Sequence, residues 1–379
     1  MSCFDALVIG GGVVGMSTAY HLVRLGAKTM LIDRRDEGRA TDAGAGILAA
    51  DTYGGDSEDW FNLGIEASAY YPQLIAELER EQDGETGYSR CGKLTLAVSP
   101  EEIEPFEQSK RRIFARQQRR AFPASKDLYE ISPGDARRLF PPLARVHRAL
   151  YYDKAARVDG RLLSDALLRA ARQGGLHVKR ASVDQLLLSG NSVGGVVANG
   201  KTFAAAHVAI AGGAWSPSLG APLGVQIPVA PQRGQIIHLN LPDLDTAAWP
   251  IVNAFREHYM VPWPDHRLVV GATRESGVEF KAHTTVAGVR EVLDEALRVA
   301  PGLEGARMGE IRVGLRPATP DQLPVLGPVP GWKNIFLATG HGASGLQLGP
   351  FSGKIIAEIM LDLAPPGKIA AFNIARFIN

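Results

Sequence analysis

"FDALVIGGGVVGMSTAYHLVRLGAKTMLID" occupies residues 4–33. Leu7, Val8 and Ile9 make a short apolar run of the kind that parallel sheets bury on both faces. Gly10, Gly12 and Gly15 come next in the pattern G-x-G-x-x-G. The first glycine permits a tight turn and the second lets backbone approach a pyrophosphate. The third lets the next helix pack closely on the strand. Val13 and Val14 then supply first-turn amides at the positive end of a helix dipole. Residues 29–32 read as a second strand, and Asp33 ends it where an acid accepts ribose hydroxyls. Strand, glycine turn, helix, strand and terminal acid together predict a dinucleotide-binding unit.

The same fingerprint serves NAD and FAD, so the choice rests on the residues just beyond Asp33. "RRDEGRATDAGAGILAA" (residues 34–50) is rich in Gly, Ala and Thr. A nicotinamide dehydrogenase has no evident use for such a loop beside its first unit. A flavin enzyme does, because its long cofactor runs on past the pyrophosphate and small residues allow close backbone approach. An ordinary flexible loop has the same composition.

At 379 residues and 45% hydrophobic, the chain exceeds what one core usually fills, which predicts two domains. A formal net charge of +1 with 21% charged residues gives no bulk sign of a nucleic-acid or anionic-membrane partner. Cys3 and Cys91 do not make a disulfide framework and fit a reducing, cytoplasmic setting. "MSCFD" lacks the basic start of a secretion signal, and no uninterrupted apolar stretch is long enough to cross a bilayer. No Ser-His-Asp constellation or spaced Cys/His metal cluster is evident.

Helical periodicity covers residues 61–80, "GKLTLAVS" (92–99) reads as a strand, and a charged helix continues through the 110s. Its cluster Lys110, Arg111, Arg112, Arg116, Arg119 and Arg120 reads as a solvated face. Residues 161–173 form an amphipathic helix closed by Gly174-Gly175. A strand, a meander and a buried strand fill 176–215, and "IIHLNL", "HYMVPWP" and "RLVVGAT" read as strands of one sheet. A helix over 285–299 and a final strand, glycine loop and helix complete the chain. The ends look α/β and the middle antiparallel, so one domain is expected to be built from separated segments.

"VIGGGVVG", "DAGAGILA", "YMVPWPDHRLVVGAT", "GLRPATPDQLPVLGP" and "ATGHGASGLQLGP" stand in this order along nearly the whole chain. Together they resemble the flavin-dependent D-amino acid oxidase superfamily, and within it the glycine oxidases and sarcosine oxidase-like amine oxidoreductases. The resemblance implies a discontinuous α/β Rossmann-like FAD-binding domain over 1–89, 149–222 and 308–379. An α+β substrate domain with an antiparallel sheet would take 90–148 and 223–307. Val13 and Val14 would meet the pyrophosphate, and Asp33 and Arg34 would frame the ribose. Ala40, Thr41, Ala45, Gly46 and Ile47 would track the cofactor toward its ring, with Val183 on the adenine side. His341, Gly342, Ala343, Ser344, Gly345, Leu346 and Gln347 would wrap the flavin ring, the helix dipole beyond them facing N1 and O2. For His341 a structural or ring-edge role is favoured over acid–base work.

On the substrate side the resemblance points to Arg316, Tyr259 and Arg274. Glycine oxidases place an arginine at the position of Arg316 to grip the substrate carboxylate, which a planar fork does better than lysine. Tyr259 matches a tyrosine lining the substrate site. Two departures matter. Ala343 stands where glycine oxidases carry a second arginine, and Arg274 stands where they carry an apolar side chain. Arg274 either replaces the missing charge from another wall or meets an extra acidic group on a bulkier substrate. Both readings put simple glycine in doubt. Covalent attachment, as in some sarcosine oxidases, needs a cysteine near Gly314; its absence predicts noncovalent FAD.

The implied reaction is hydride loss from a carboxylate-bearing small amine to flavin N5. Hydrolysis of the imine then yields an oxo acid such as glyoxylate plus ammonia or an amine. The electrons pass to oxygen, giving peroxide, or to a quinone or carrier. Alternatives are a D-amino acid, proline or opine-type dehydrogenase, an FAD-dependent hydroxylase, an NAD(P)-dependent dehydrogenase, and a non-catalytic flavoprotein subunit of a complex. Oligomeric state, homo-oligomers included, is left open.

Overall fold

In the computed structural model, which describes residues 3–378, the strand Phe4–Ile9 is the hub of the first sheet. It pairs in parallel with Thr29–Asp33 on one side and Lys201–Ile210 on the other. His177–Arg180 and Ile335–Thr339 extend the parallel run at its two sides. Val325–Pro328 then adds an antiparallel edge, and Val183–Ser189 and Ser192–Ala198 fold back as a meander on Lys201–Ile210. The strand alternation splits the core in two. Ala6, Val8 and Leu31 pack under the helical layer, whereas Leu7, Ile9 and Ile32 pack with Leu186, Val193 and Val196 of the meander side. Burial on both faces explains why the strand reads as a continuous apolar run.

The helical layer decides where the site lies. Helix Val13–Arg24 packs against helix Gly345–Met360 through two glycines of the latter. A Cβ on Gly353 would stand 2.7 Å from the Thr18 amide nitrogen, and one on Gly349 would stand 3.0 Å from Val13 Cγ1. Ser17 Oγ donates to the Pro350 carbonyl at 2.7 Å, tying the same crossing. The close approach brings both helix N-termini to one cavity.

The second sheet has eight strands, running in spatial order Arg307–Ala318, Ala230–Asn240, Arg267–Gly271, Tyr259–Trp263, Ile251–Ala254, Lys93–Ala97, Arg148–Tyr152 and Leu128–Ile131. Only the pair Ile251–Ala254 and Lys93–Ala97 is parallel. One face of this sheet carries helix Val286–Val299 over a core of Leu94, Leu96, Ile237 and Val270. Its other face presents Ile236, Ile251, Val261 and Tyr259 to Ala45 and Ile47 of the small-residue loop. Ile47–Leu48, Tyr88–Arg90 and Ala156–Val158 form a small third sheet beside them.

Arg148–Tyr152 and Arg307–Ala318 hydrogen-bond within the second sheet, so segment boundaries at 149 and 308 cut through it. Apolar alternation suits either sheet; the partners Lys93–Ala97 and Ala230–Asn240, distant in sequence, make the difference. The basic helix Ile103–Arg120 also departs from a wholly solvated face. Arg116 is buried, pairs with Glu58 at 2.8 Å and lies 4.4 Å from the Phe61 ring centroid. Arg120 reaches buried Asp51 at 2.9 Å, while Arg111 and Arg119 do face solvent. Among the described residues no helix is long and apolar enough to cross a membrane.

Candidate active site

The glycine turn performs three separate tasks. Gly10 has φ +105°, and a Cβ there would sit 2.4 Å from the Ala211 carbonyl oxygen. Gly15 lies so close to the turn that its Cβ would meet the Gly10 oxygen at 2.0 Å. It is a packing residue and does not line the cavity. Gly12 differs from both: among the described residues, the atom near its Cβ position is Thr41 Oγ1, at 3.2 Å. The rest of that space is cavity. Gly12 caps helix Val13–Arg24 without a side-chain hydrogen bond, and Thr41 accepts from the Val13 amide at 3.0 Å.

Asp33 ends its strand at the cavity wall, and Arg39 Nη1 holds its carboxylate at 3.2 Å. The same guanidinium grips Asp42, so Arg39 ties the loop to the turn. Arg34 pairs with Asp36 at 2.6 Å and lies over the Trp215 ring. From there the wall continues through Ala40, Thr41, Ala45, Gly46 and Ile47, with Val183 on the meander side. Gly46 (φ +78°) is pressed against the Val158 carbonyl, whose oxygen would stand 1.8 Å from an added Cβ.

Helix Gly345–Met360 closes the far end. His341, Gly342, Ala343, Gly345, Leu346 and Gln347 line the cavity there, whereas Ser344 does not. Ser344 Oγ accepts from the Trp60 indole at 3.1 Å, which turns it away from the expected ring contact. The Gln347 side chain is also engaged within the protein, accepting from the Ala49 amide at 2.8 Å and donating to Ser68 at 3.0 Å. Its amide therefore pins the small-residue loop to the helices. His341 is buried, and burial pushes its pKa down to about 4, so the ring is neutral near pH 7. Its Nε2 has no partner among the described residues. Leaving such a group unsatisfied costs roughly 1–3 kcal/mol, a penalty that a polar ligand in the cavity would remove.

The open cradle at Gly12, two helix N-termini on one cavity and the orphaned imidazole fit a long cofactor. An anionic pyrophosphate suits the first end and a polar heteroaromatic ring the second.

Tyr259, Arg274 and Arg316 meet where the second sheet covers this cavity. Arg316 donates from Nη1 to the Thr273 carbonyl at 2.8 Å, and its guanidinium lies against Gly234. A Cβ at Gly234 would stand 2.3 Å from Arg316 Nη2, so only glycine leaves the fork room to seat there. Among the described residues no carboxylate pairs with Arg316, whose pKa is lowered by burial. Burial raises the Tyr259 pKa, with the Arg316 and Arg274 cations pulling the other way. Arg274 is held by Glu257 at 2.5 Å. Glu257, Gly234, Arg39 and Trp215 also line the cavity, and none of them is among the residues expected from sequence. "AGGAW" (211–215) is a signal for Trp215, a second glycine turn after a buried strand. Arg39 lies within the small-residue stretch 34–50, whereas Glu257 and Gly234 carry no local signal.

A largely parallel sheet with a glycine turn, roofed by a second sheet whose Arg316 has no carboxylate partner among the described residues, is the arrangement expected of a flavin-dependent amine oxidoreductase. The chain belongs to the FAD dependent oxidoreductase (DAO) family, whose profile matches residues 5–359. A curated relative, the uncharacterized oxidoreductase YurR of Bacillus subtilis (strain 168), is 37% identical over 366 residues, spanning 95% of this chain and 97% of YurR. The crystal structure of iminodiacetate oxidase (IdaA) from Chelativorans sp. BNC1 is similar with a TM-score of 0.90 and 38% identity, covering 97% of this chain and 98% of that one. Glycine oxidase from Geobacillus kaustophilus matches with a TM-score of 0.89 and 28% identity over 100% of both chains. FAD is thus the cofactor.

Neither cysteine lines the cavity, and burial lifts the Cys91 thiol to a pKa of about 11, which suppresses the nucleophilic thiolate. Denaturing the purified yellow protein should therefore release free FAD into the supernatant. Flavin that stays with the precipitated chain would overturn noncovalent binding.

Proposed function

We propose that this enzyme oxidises the C–N bond of a small N-carboxymethyl amine bearing two carboxylates, ahead of glycine itself. The observation that carries the reading is the pair of arginines on one cavity, Arg316 without a carboxylate partner and Arg274 at the rim. Bound FAD would supply the two-electron acceptor. Arg316 would take one carboxylate as a fork, oriented by the Thr273 carbonyl and the bare backbone of Gly234. Tyr259, held protonated by burial, offers its hydroxyl beside that carboxylate. The cationic surroundings disfavour an ammonium, so the substrate would react as the free amine. Arg274 would meet the second carboxylate, and Ala343 leaves room for the added substituent. Water adding to the imine would give glyoxylate and the freed amine, with oxygen reduced to peroxide if it is the acceptor. The iminodiacetate oxidase at 38% identity supports this choice over glycine.

The test is anaerobic mixing of the holoenzyme with glycine, sarcosine, D-proline and iminodiacetate, monitoring loss of flavin absorbance without NAD(P)H. Iminodiacetate should reduce it fastest. Arg274→Ala should raise the KM for iminodiacetate on the order of tenfold, the worth of one charged hydrogen bond, and leave glycine within about twofold. Equal losses for both would remove the second carboxylate from the reading.

A further inference from the structure

Arg274 does not stand free at the cavity rim. Glu257 Oε2 lies 2.5 Å from its Nε, and the two side chains are 39% and 61% exposed. Glu257 is presented there by the tight turn between Ile251–Ala254 and Tyr259–Trp263, where Arg256 and Glu257 are successive left-handed residues at φ +72° and +64°. Left-handed backbone is unusual for one such residue and more so for two in a row. The turn is anchored from outside: Arg256 pairs with Glu295 of helix Val286–Val299 at 3.1 Å. Three carboxylates line the cavity among the described residues: Glu257 pairs with Arg274, whereas Asp33 and Asp36 pair with Arg39 and Arg34 respectively. With Arg316 and Arg274, Glu257 leaves one net positive charge, which a single substrate carboxylate neutralises. A second carboxylate that pairs with Arg274 through Nε competes with Glu257 for it.

We infer that Glu257 is a specificity-determining residue, an exchangeable counter-ion that masks Arg274 until the second carboxylate of a substrate replaces it. The inference rests on the two-carboxylate reading of Arg274. It makes selectivity a competition: the enzyme's own carboxylate handicaps dicarboxylates, and a monocarboxylate leaves the pair intact. Exposure of both partners keeps the pair weak enough to exchange, since such pairs contribute little in water.

The test is an equilibrium titration of the holoenzyme with unreactive ether analogues, read by the flavin absorbance shift. Diglycolate carries two carboxylates and methoxyacetate one, and neither has an amine to oxidise. Glu257→Gln should bind diglycolate roughly two- to fivefold more tightly, the range expected for an exposed ion pair, and methoxyacetate no more tightly than the wild type. In an Arg274→Ala background the same change should have no effect on diglycolate. Unchanged or weaker diglycolate binding, or equal tightening of both ligands, would overturn the inference. Because no turnover is needed, the outcome is separate from whether iminodiacetate is oxidised. Failure of Arg274→Ala alone to weaken diglycolate would instead overturn the reading beneath it.

Discussion

Arg316→Ala should keep its FAD and lose between roughly 30-fold and several thousand-fold of kcat/KM toward carboxylate-bearing amines. That range is the cost, about 2–5 kcal/mol, of leaving a desolvated charge without its partner. The wild-type site is prepared for an anion: the half-buried guanidinium lies against Gly234, is oriented by the Thr273 carbonyl, and has no carboxylate of its own among the described residues. A carboxylate entering this space gives up water and needs the fork in exchange. Because Arg316 lies on the second sheet, away from the glycine turn, cofactor occupancy should not change. Arg316→Lys should recover only part of the loss, since one ammonium does not reproduce two parallel hydrogen bonds. The deficit should fall on KM if the fork grips substrate and transition state alike, and on kcat as well if it also orients the amine. Stopped-flow flavin reduction separates the two. Wild-type kinetics in Arg316→Ala would point to an amine without a carboxylate.

Arg316 also marks how far the sequence is legible. The turn from Gly10 to Gly15 and the strands beside it are read from short-range patterns, because apolar runs and glycine spacing are local consequences of burial and turn geometry. That Arg316 should face a substrate comes from resemblance, and the structure adds why the fork is held there. Gly234, which seats it, lies 82 residues earlier by their numbers and is opposite Gly314 in the register, a relation no local pattern contains. Glu257 is legible only once the turn that carries it is known to lie beside Arg274. The same holds for the strands Arg148–Tyr152 and Arg307–Ala318, whose partners are far along the chain. Arg116 misleads for a related reason. In sequence it belongs to a solvated basic run, and only the arrival of Glu58 and Phe61 lets it be buried. Ser344 sits within a glycine-rich loop whose neighbours do line the cavity, yet Trp60 draws its hydroxyl away. Local rules find the glycine turn on the cavity; long-range pairing brings Arg316, Gly234 and Glu257 to it.

Gly12→Val should abolish FAD retention while leaving the chain folded. At Gly10 and Gly15 any side chain strikes backbone, at 2.4 Å and 2.0 Å respectively, so substitutions there would disturb the turn itself. At Gly12, chain neighbours aside, the described atom that an added Cβ would meet is the Thr41 hydroxyl at 3.2 Å, a contact that a small rotation relieves. Its φ of −73° is open to any L-residue, so no backbone strain opposes the change. The two methyl groups of valine would instead fill the cavity beside the Val13 amide, where the helix N-terminus offers its positive end to a phosphate. Loss of that approach removes the cofactor's most strongly charged contact, and the variant should purify colourless with circular dichroism close to wild type. Gly12→Ala should fall between the two, with FAD bound weakly enough to wash off on gel filtration. A folded Gly12→Val protein that keeps full flavin occupancy would move the pyrophosphate site elsewhere. The remaining place for it would be the helix Gly345–Met360 N-terminus, the other cluster of first-turn amides on the cavity.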